Sequence, residues 1–280
     1  KTLMFVPKCR HLLHFDIKRS YFKMRLKRLR QQSSARQSGS LRITVDRASI
    51  FEDSFNHLRT ASAEDLRRKL HITFAREEGM DAGGLTREWY TVLAREIFNP
   101  NYGLFMPTSD DGTTFQPNPH SDIEVQHLDY FKFFGRVIGK AICDGQLLDA
   151  HFTRSFYKHI LGVPVVLQDL ESIEPDYYKN MTQILEYELD MLGLELNFSA
   201  ELNQFGKVST VNLIDHGQDI AVTDKNKAEY VRLIAHHRMT TAIKRQIDAF
   251  LEGFHELVPP ELVSIFDAQE LELFISGLPE

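Results

Sequence analysis

Three glycines within six residues, Gly79, Gly83 and Gly84, stand just ahead of a helical apolar pattern. A glycine-rich turn opening a helix is where a phosphate could be held. The spacing does not match a dinucleotide fingerprint, however, and no acidic residue follows at the required point after a second strand. Gly135-Arg136-Val137-Ile138-Gly139-Lys140-Ala141 is one residue too short for a P-loop and lacks its Ser or Thr. His255-Glu256 begins a zinc-protease pattern, but Pro259 occupies the second histidine's position. His236 and His237 are adjacent on a helix and diverge, so they do not share a metal. No Gly-x-Ser-x-Gly elbow exists, and Cys143 ends an apolar helix, the reverse of the electropositive niche that a thiolate nucleophile needs. The expectation is no catalytic constellation, no metal and no cofactor, with Cys143 a buried structural thiol.

Exposed apolar chemistry stands out instead. Tyr177, Met181 and Ile184 recur at spacings of four and three on one helix face, and with Leu194, Leu196 and Tyr230 they could form one groove. The competing reading is an ordinary core for a small subdomain. Met, Leu and Tyr together also suit a docking surface.

The elements that must position these residues follow from periodicity. Residues 14–31 read as an amphipathic helix: Ile17, Tyr21, Phe22, Leu26 and Leu29 fall near one face and basic residues cover the rest. Leu41–Val45 and His71–Phe74 alternate like strands, and Ser62 with Asp65 resembles a capping box opening a helix through Leu70. After the glycines, Trp89, Val92, Leu93 and Ile97 mark a helix that Asn99-Pro100 stops. A strand is expected within Thr113–Gln116, then helices over His127–Ile142 and Phe152–Leu161. Gly135 and Gly139 inside the first of these would admit another element closely. Glu171–Tyr187 reads as helix, Leu194–Phe198 as a half-exposed strand and Asp219–Thr223 as another. Asn226–Leu257 is helical with a break near Met239-Thr240, and Ala268–Ile275 is a last helix. The fold class is therefore α+β and mainly helical.

With 280 residues, 42% hydrophobic, the chain can bury a substantial core in one large domain or two. Its longest apolar runs cannot span a bilayer, so a soluble protein without membrane partners is expected. Lys8, Cys9 and Arg10 near the start do not read as a signal peptide, and two cysteines suit a reducing compartment. The net charge of −6 hides an asymmetry: residues 1–42 hold 12 Lys and Arg against Asp16 alone, leaving 21 basic against 38 acidic residues. That is a basic arm on an acidic body. The arm could bind nucleic acid, a membrane surface or an acidic partner, or could simply dock on the body.

Several passages in unbroken order resemble the N-terminal lobe of HECT-type ubiquitin ligases. They include Ile50-Phe51-Glu52-Asp53-Ser54, Asp81 to Trp89, Phe98-Asn99-Pro100-Asn101-Tyr102-Gly103-Leu104-Phe105, Tyr130 to Arg136, Phe250 to Phe254 and Glu270 to Leu273. Phe15–Phe22, the Asp81-Ala82-Gly83-Gly84 form and Phe152–Leu161 look most like the very large, Mule-type ligases.

The resemblance implies a basic helix and linker over 1–44, a large helical subdomain over 45–164 and 226–280, and a small inserted subdomain over 165–225 that binds the ubiquitin-conjugating enzyme (E2). By motif position the E2 groove would be Tyr177, Met181, Ile184, Tyr187, Leu194, Leu196 and Tyr230. Six of these seven coincide with the groove read from the residues. A non-covalent ubiquitin exosite would use Phe51, Asn99, Tyr102, Phe205 and Arg238, although Pro107 stands where the best-known exosite branch has an aromatic. The family's nucleophile is a cysteine in a Thr-Cys-Phe context in a C-terminal lobe, which neither Cys9 nor Cys143 matches. The implied parent enzyme passes ubiquitin from the E2 thioester to that cysteine and on to a substrate lysine, in the cytoplasm or nucleus. The 280-residue chain alone would be inactive.

Overall fold

The computed structural model describes residues 12–34, 39–77, 83–108, 112–204 and 207–277. Helix α1 (Phe15–Ser34) leads to β1 (Ser40–Val45), α2 (Ile50–Arg59), the short α3 (Ala63–Leu66) and β2 (Lys69–Phe74). Strands β1 and β2 pair in parallel from Ser40↔Lys69 to Val45↔Phe74. Ser62 does form a capping box with Asp65, but the helix it opens ends at Leu66 instead of Leu70. The alternating pattern of 69–74, which buries Leu70, Ile72 and Phe74, takes over as strand.

Gly83, with φ of 112°, turns the chain into α4 (Gly84–Ile97). Trp89, Tyr90, Leu93 and Ile97 face the core, and the Trp89 indole N–H donates to Ser54 Oγ at 2.8 Å, fixing α4 to α2. Antiparallel β3 (Phe105–Pro107) and β4 (Phe115–Pro117) follow. Then come α5 (His127–Asp144) and α6 (Arg154–Leu161).

The chain next builds α7 (Pro175–Glu186), α8 (Leu189–Leu192), the hairpin β5 (Ser199–Gln204) and β6 (Lys207–Asn212), and α9 (Lys227–Met239). It ends with α10 (Lys244–His255), α11 (Pro260–Val263) and α12 (Ala268–Ser276). Leu194 and Leu196 lie in irregular chain, and Asp219–Thr223 contributes one bridge, Asn197↔Ala221. The strands of this region are β5 and β6 instead.

The main core joins α1, α2, α4 to α6, α10 and α12 around stacked phenylalanines. Helices α5 and α10 approach backbone to backbone: a Cβ on Gly135 would collide with the Phe250 carbonyl, and one on Gly253 with the Lys132 carbonyl. Helix α1 of the basic arm is docked, with Phe22 against Phe266 and Phe274 at ring-centre distances of 5.1 Å. One expected face residue, Ile17, is exposed, while Lys18 is buried in an ion pair with Glu270 at 2.7 Å. At the other end, Arg30 approaches Asp144 at 3.7 Å. No helix among the described residues is long and apolar enough to cross a membrane.

A second core gathers Met181, Ile184, Leu189, Phe198, Val222, Tyr230, Val231 and Ile234. Helix α9 thus packs with the inserted segment, and the chain returns to the main core after Met239 and not at residue 226. Both crossings between the cores are tied to α6. Lys158 pairs with buried Asp169 at 2.6 Å, and Asp169 also accepts the Val166 N–H at 2.8 Å. His159 Nε2 lies 2.9 Å from the Met239 carbonyl.

Candidate functional site

In the second core, α7 presents Met181 and Ile184 inward, and Tyr230 of α9 meets Phe198 edge-on at 5.8 Å. These three expected groove residues are a buried floor. Burial pushes the Tyr230 hydroxyl up to about 12, so it stays protonated. Tyr177 is half-buried beneath the Arg238 guanidinium, 3.8 Å from the ring centre, and Leu196 packs against the floor.

The expected contact residues that reach solvent are Tyr187, 49% exposed, and Leu194, 41% exposed. Local backbone chemistry explains their exposure. α7 ends as Tyr187 turns extended, and its carbonyl is held by Lys227 Nζ at 2.7 Å. Lys227 also pairs with Asp224, which accepts the Leu189 N–H, so the turn between α7 and α8 is anchored to the start of α9. Gly193, at φ 62°, ends α8 and turns the chain into Leu194.

Two residues of the same ten-residue stretch were not foreseen as contacts. Met191 is 75% exposed and Leu185 is 38% exposed. The signal for Met191 was present: a Leu-Asp-Met-Leu-Gly run reads as one helical turn and a stop, and one turn cannot bury all three apolar side chains.

A second cluster lies on the main body. Asn99 caps the turn Pro100–Tyr102 by accepting the Asn101 N–H at 3.1 Å, and its Nδ2 donates to Glu96 at 3.2 Å. The Tyr102 ring stacks on Phe51 at 4.3 Å, and its hydroxyl donates to Glu52 at 2.9 Å. Burial, then the Glu52 bond, raises the Tyr102 pKa. Phe51 is 1% exposed, so it supports Tyr102 from below and offers no surface of its own. Arg238 is engaged elsewhere, paired with Glu174 at 2.7 Å over Tyr177. Phe205 lies outside the described residues. The structure therefore brings together Phe51, Asn99 and Tyr102 but sets Arg238 beside the groove.

Cys143 packs with Sγ 3.9 Å from the Leu257 carbonyl, and burial pushes its thiol up to about 11. A thiol held so high stays protonated at neutral pH. No group of His, Cys, Asp and Glu able to hold a metal occurs among the described residues.

The family model for the HECT domain (ubiquitin-transferase) matches residues 91–280. E3 ubiquitin-protein ligase UPL1 of Arabidopsis thaliana is 51% identical over the whole chain. HUWE1 of Mus musculus and TOM1 of Saccharomyces cerevisiae, each named an E3 ubiquitin-protein ligase, are 47% identical over 96% of it. The chain belongs to the HECT family. It spans only 6–8% of the length of these relatives, in keeping with the resemblance to very large ligases. From Gly83 onward, the Asp81–Trp89 motif opens α4, which packs Trp89 into the core. The Asn99–Tyr102 motif at that helix's far end reaches the surface.

Proposed function

We propose that this chain is the part of a HECT ubiquitin ligase that docks the ubiquitin-conjugating enzyme. The small subdomain, here taken through Met239, provides the docking surface. The body provides the mount, and Asn99 with Tyr102 offers a secondary contact for ubiquitin. The parent's reaction is two transfers of ubiquitin, from the conjugating enzyme's thioester to a ligase cysteine and then to a substrate lysine. That cysteine lies outside these 280 residues, and the chain's contribution is proximity. A cytoplasmic or nuclear setting suits this reading.

The observation that carries the reading is the exposed run Leu185, Tyr187, Met191 and Leu194, held over a buried floor by the Lys227 anchor. Exposed large apolar groups on a rigid element mark a partner surface. Its small extent implies a weak, transient complex. Calorimetric titration with a conjugating enzyme tests it. Tyr187→Ala and Leu194→Ala should each weaken binding about fivefold or more, as truncation of an aromatic or apolar anchor does, with the melting temperature retained. Unchanged affinity in both would refute the assignment.

A further inference from the structure

The docking run crosses a joint that its own helices do not hold. α7 ends at Glu186 and α8 begins at Leu189, with Tyr187 and Glu188 extended between them. The Tyr187 carbonyl lies past the last turn of α7, and the Leu189 N–H opens α8, where the first N–H groups have no acceptor within the helix. Glu188, the N-cap of α8, supplies no side-chain hydrogen bond. Ile184 and Leu189 are buried on either side, so packing pins the two ends of the link and not its middle, where Tyr187 stands.

The first residue of α9 serves both orphan groups. Lys227 Nζ donates to the Tyr187 carbonyl at 2.7 Å and to Asp224 Oδ1 at 2.9 Å, and the same Oδ1 accepts the Leu189 N–H at 3.3 Å. The Lys227 bond chiefly, with the Leu189 N–H, holds the Asp224 carboxyl below the ordinary carboxylate range, so the pair stays ionised at neutral pH. The loop that carries Asp224 is closed in turn. Asn226 Oδ1 accepts the Thr223 N–H at 2.6 Å, and its Nδ2 donates to the Ala221 carbonyl at 3.2 Å. The Val222 N–H donates to the Leu196 carbonyl at 2.8 Å, which ties the loop to the groove. The Lys227 side chain is only 15% exposed, so it sits below the surface that it orders.

We propose that Lys227 is a positioning residue of the docking surface: by tying the Tyr187 carbonyl to Asp224, it fixes the backbone from which Tyr187 projects before a partner arrives. The inference rests on the docking reading above and adds a residue outside the apolar run. What Lys227 contributes is preorganisation, because a side chain carried on a fixed backbone loses less freedom on binding. Its charge is not what a partner reads, since Asp224 neutralises it.

The test uses the 280-residue chain and a fluorescein-labelled ubiquitin-conjugating enzyme, with anisotropy reading the affinity. Lys227→Met keeps the apolar stem and removes the donor. It should weaken binding about fivefold, the scale of one solvent-reachable hydrogen bond, with the melting temperature retained. Lys227→Arg, which keeps donors at the end of a long stem, should restore most of the affinity. Adding Lys227→Met to Tyr187→Ala should weaken binding no further than Tyr187→Ala alone, because the lysine acts through that residue. Without any partner, amide hydrogen exchange at Leu189 should quicken in Lys227→Met. Three results would overturn the proposal and leave the docking surface standing: Lys227→Met binding as the unaltered chain does while Tyr187→Ala binds weakly, additive losses in the double variant, which would make Lys227 a contact in its own right, or unmoved exchange at Leu189. A silent Tyr187→Ala would instead remove the docking reading, and this proposal with it.

Discussion

Ser54 shows how much one hydroxyl can hold. It is buried and accepts the only indole N–H in the chain, so Ser54→Ala leaves that donor unsatisfied. The expected loss is about 1–3 kcal/mol, read as a lower urea midpoint at unchanged slope. An unchanged midpoint would mean that water replaces the bond. The reactivity of Cys143 is equally specific to its surroundings. Burial holds the thiol protonated, so charging reactions with activating enzyme, conjugating enzyme and ubiquitin should give no thiol-reducible adduct at Cys143. An adduct at Cys143 would contradict that. The apolar surroundings of Cys143 were legible from its helix, although the residue is partly rather than fully buried. The burial of Lys18 was not legible, because its partner Glu270 is 252 residues away and no local pattern encodes a distant carboxylate.

Between elements, the α5–α10 crossing depends on the absence of side chains. Gly135 and Gly139 on α5 could be read as a close-approach site from their spacing alone, while the identity of the partner helix could not. Because the neighbours are backbone atoms that cannot swing aside, Gly135→Ala and Gly253→Ala should each destabilise by about 3 kcal/mol or more, seen as a fall in melting temperature. A neutral effect would show that the helices can separate freely. The strands of the small subdomain were misplaced for a different reason. Leu194, Leu196 and Phe198 alternate as a strand does, but they lie in irregular chain, where Leu196 and Phe198 serve the second core and Leu194 faces solvent. The true strands carry few apolar residues: Ser199-Ala200-Glu201-Leu202 and Val208-Ser209-Thr210-Val211 alternate weakly, and hairpin pairing supplies what local pattern does not.

At the scale of the whole molecule, buried His127 and His237 and half-buried His159 have pKa values lowered chiefly by burial. The unfolded chain takes up their protons first, near the ordinary value of about 6.5. Acid therefore favours unfolding: stability should be full above that pH and fall as the pH drops below it. Denaturant titrations from pH 7.5 to 5.5 check the sign, and a stability that rises in acid would refute it. The family was legible from motif order, but the packing of α9 was not. Helix α9 looks like a continuation of the helices after it, and only packing shows that Tyr230, Val231 and Ile234 bury inward with α7. The account stands or falls on where a conjugating enzyme touches this surface. Hydrogen exchange of the chain with and without ubiquitin-charged conjugating enzyme measures that directly. Protection concentrated on residues 185–194, with α1 unaffected, is the predicted result; protection confined to α1, with 185–194 exchanging as in the free chain, would contradict it.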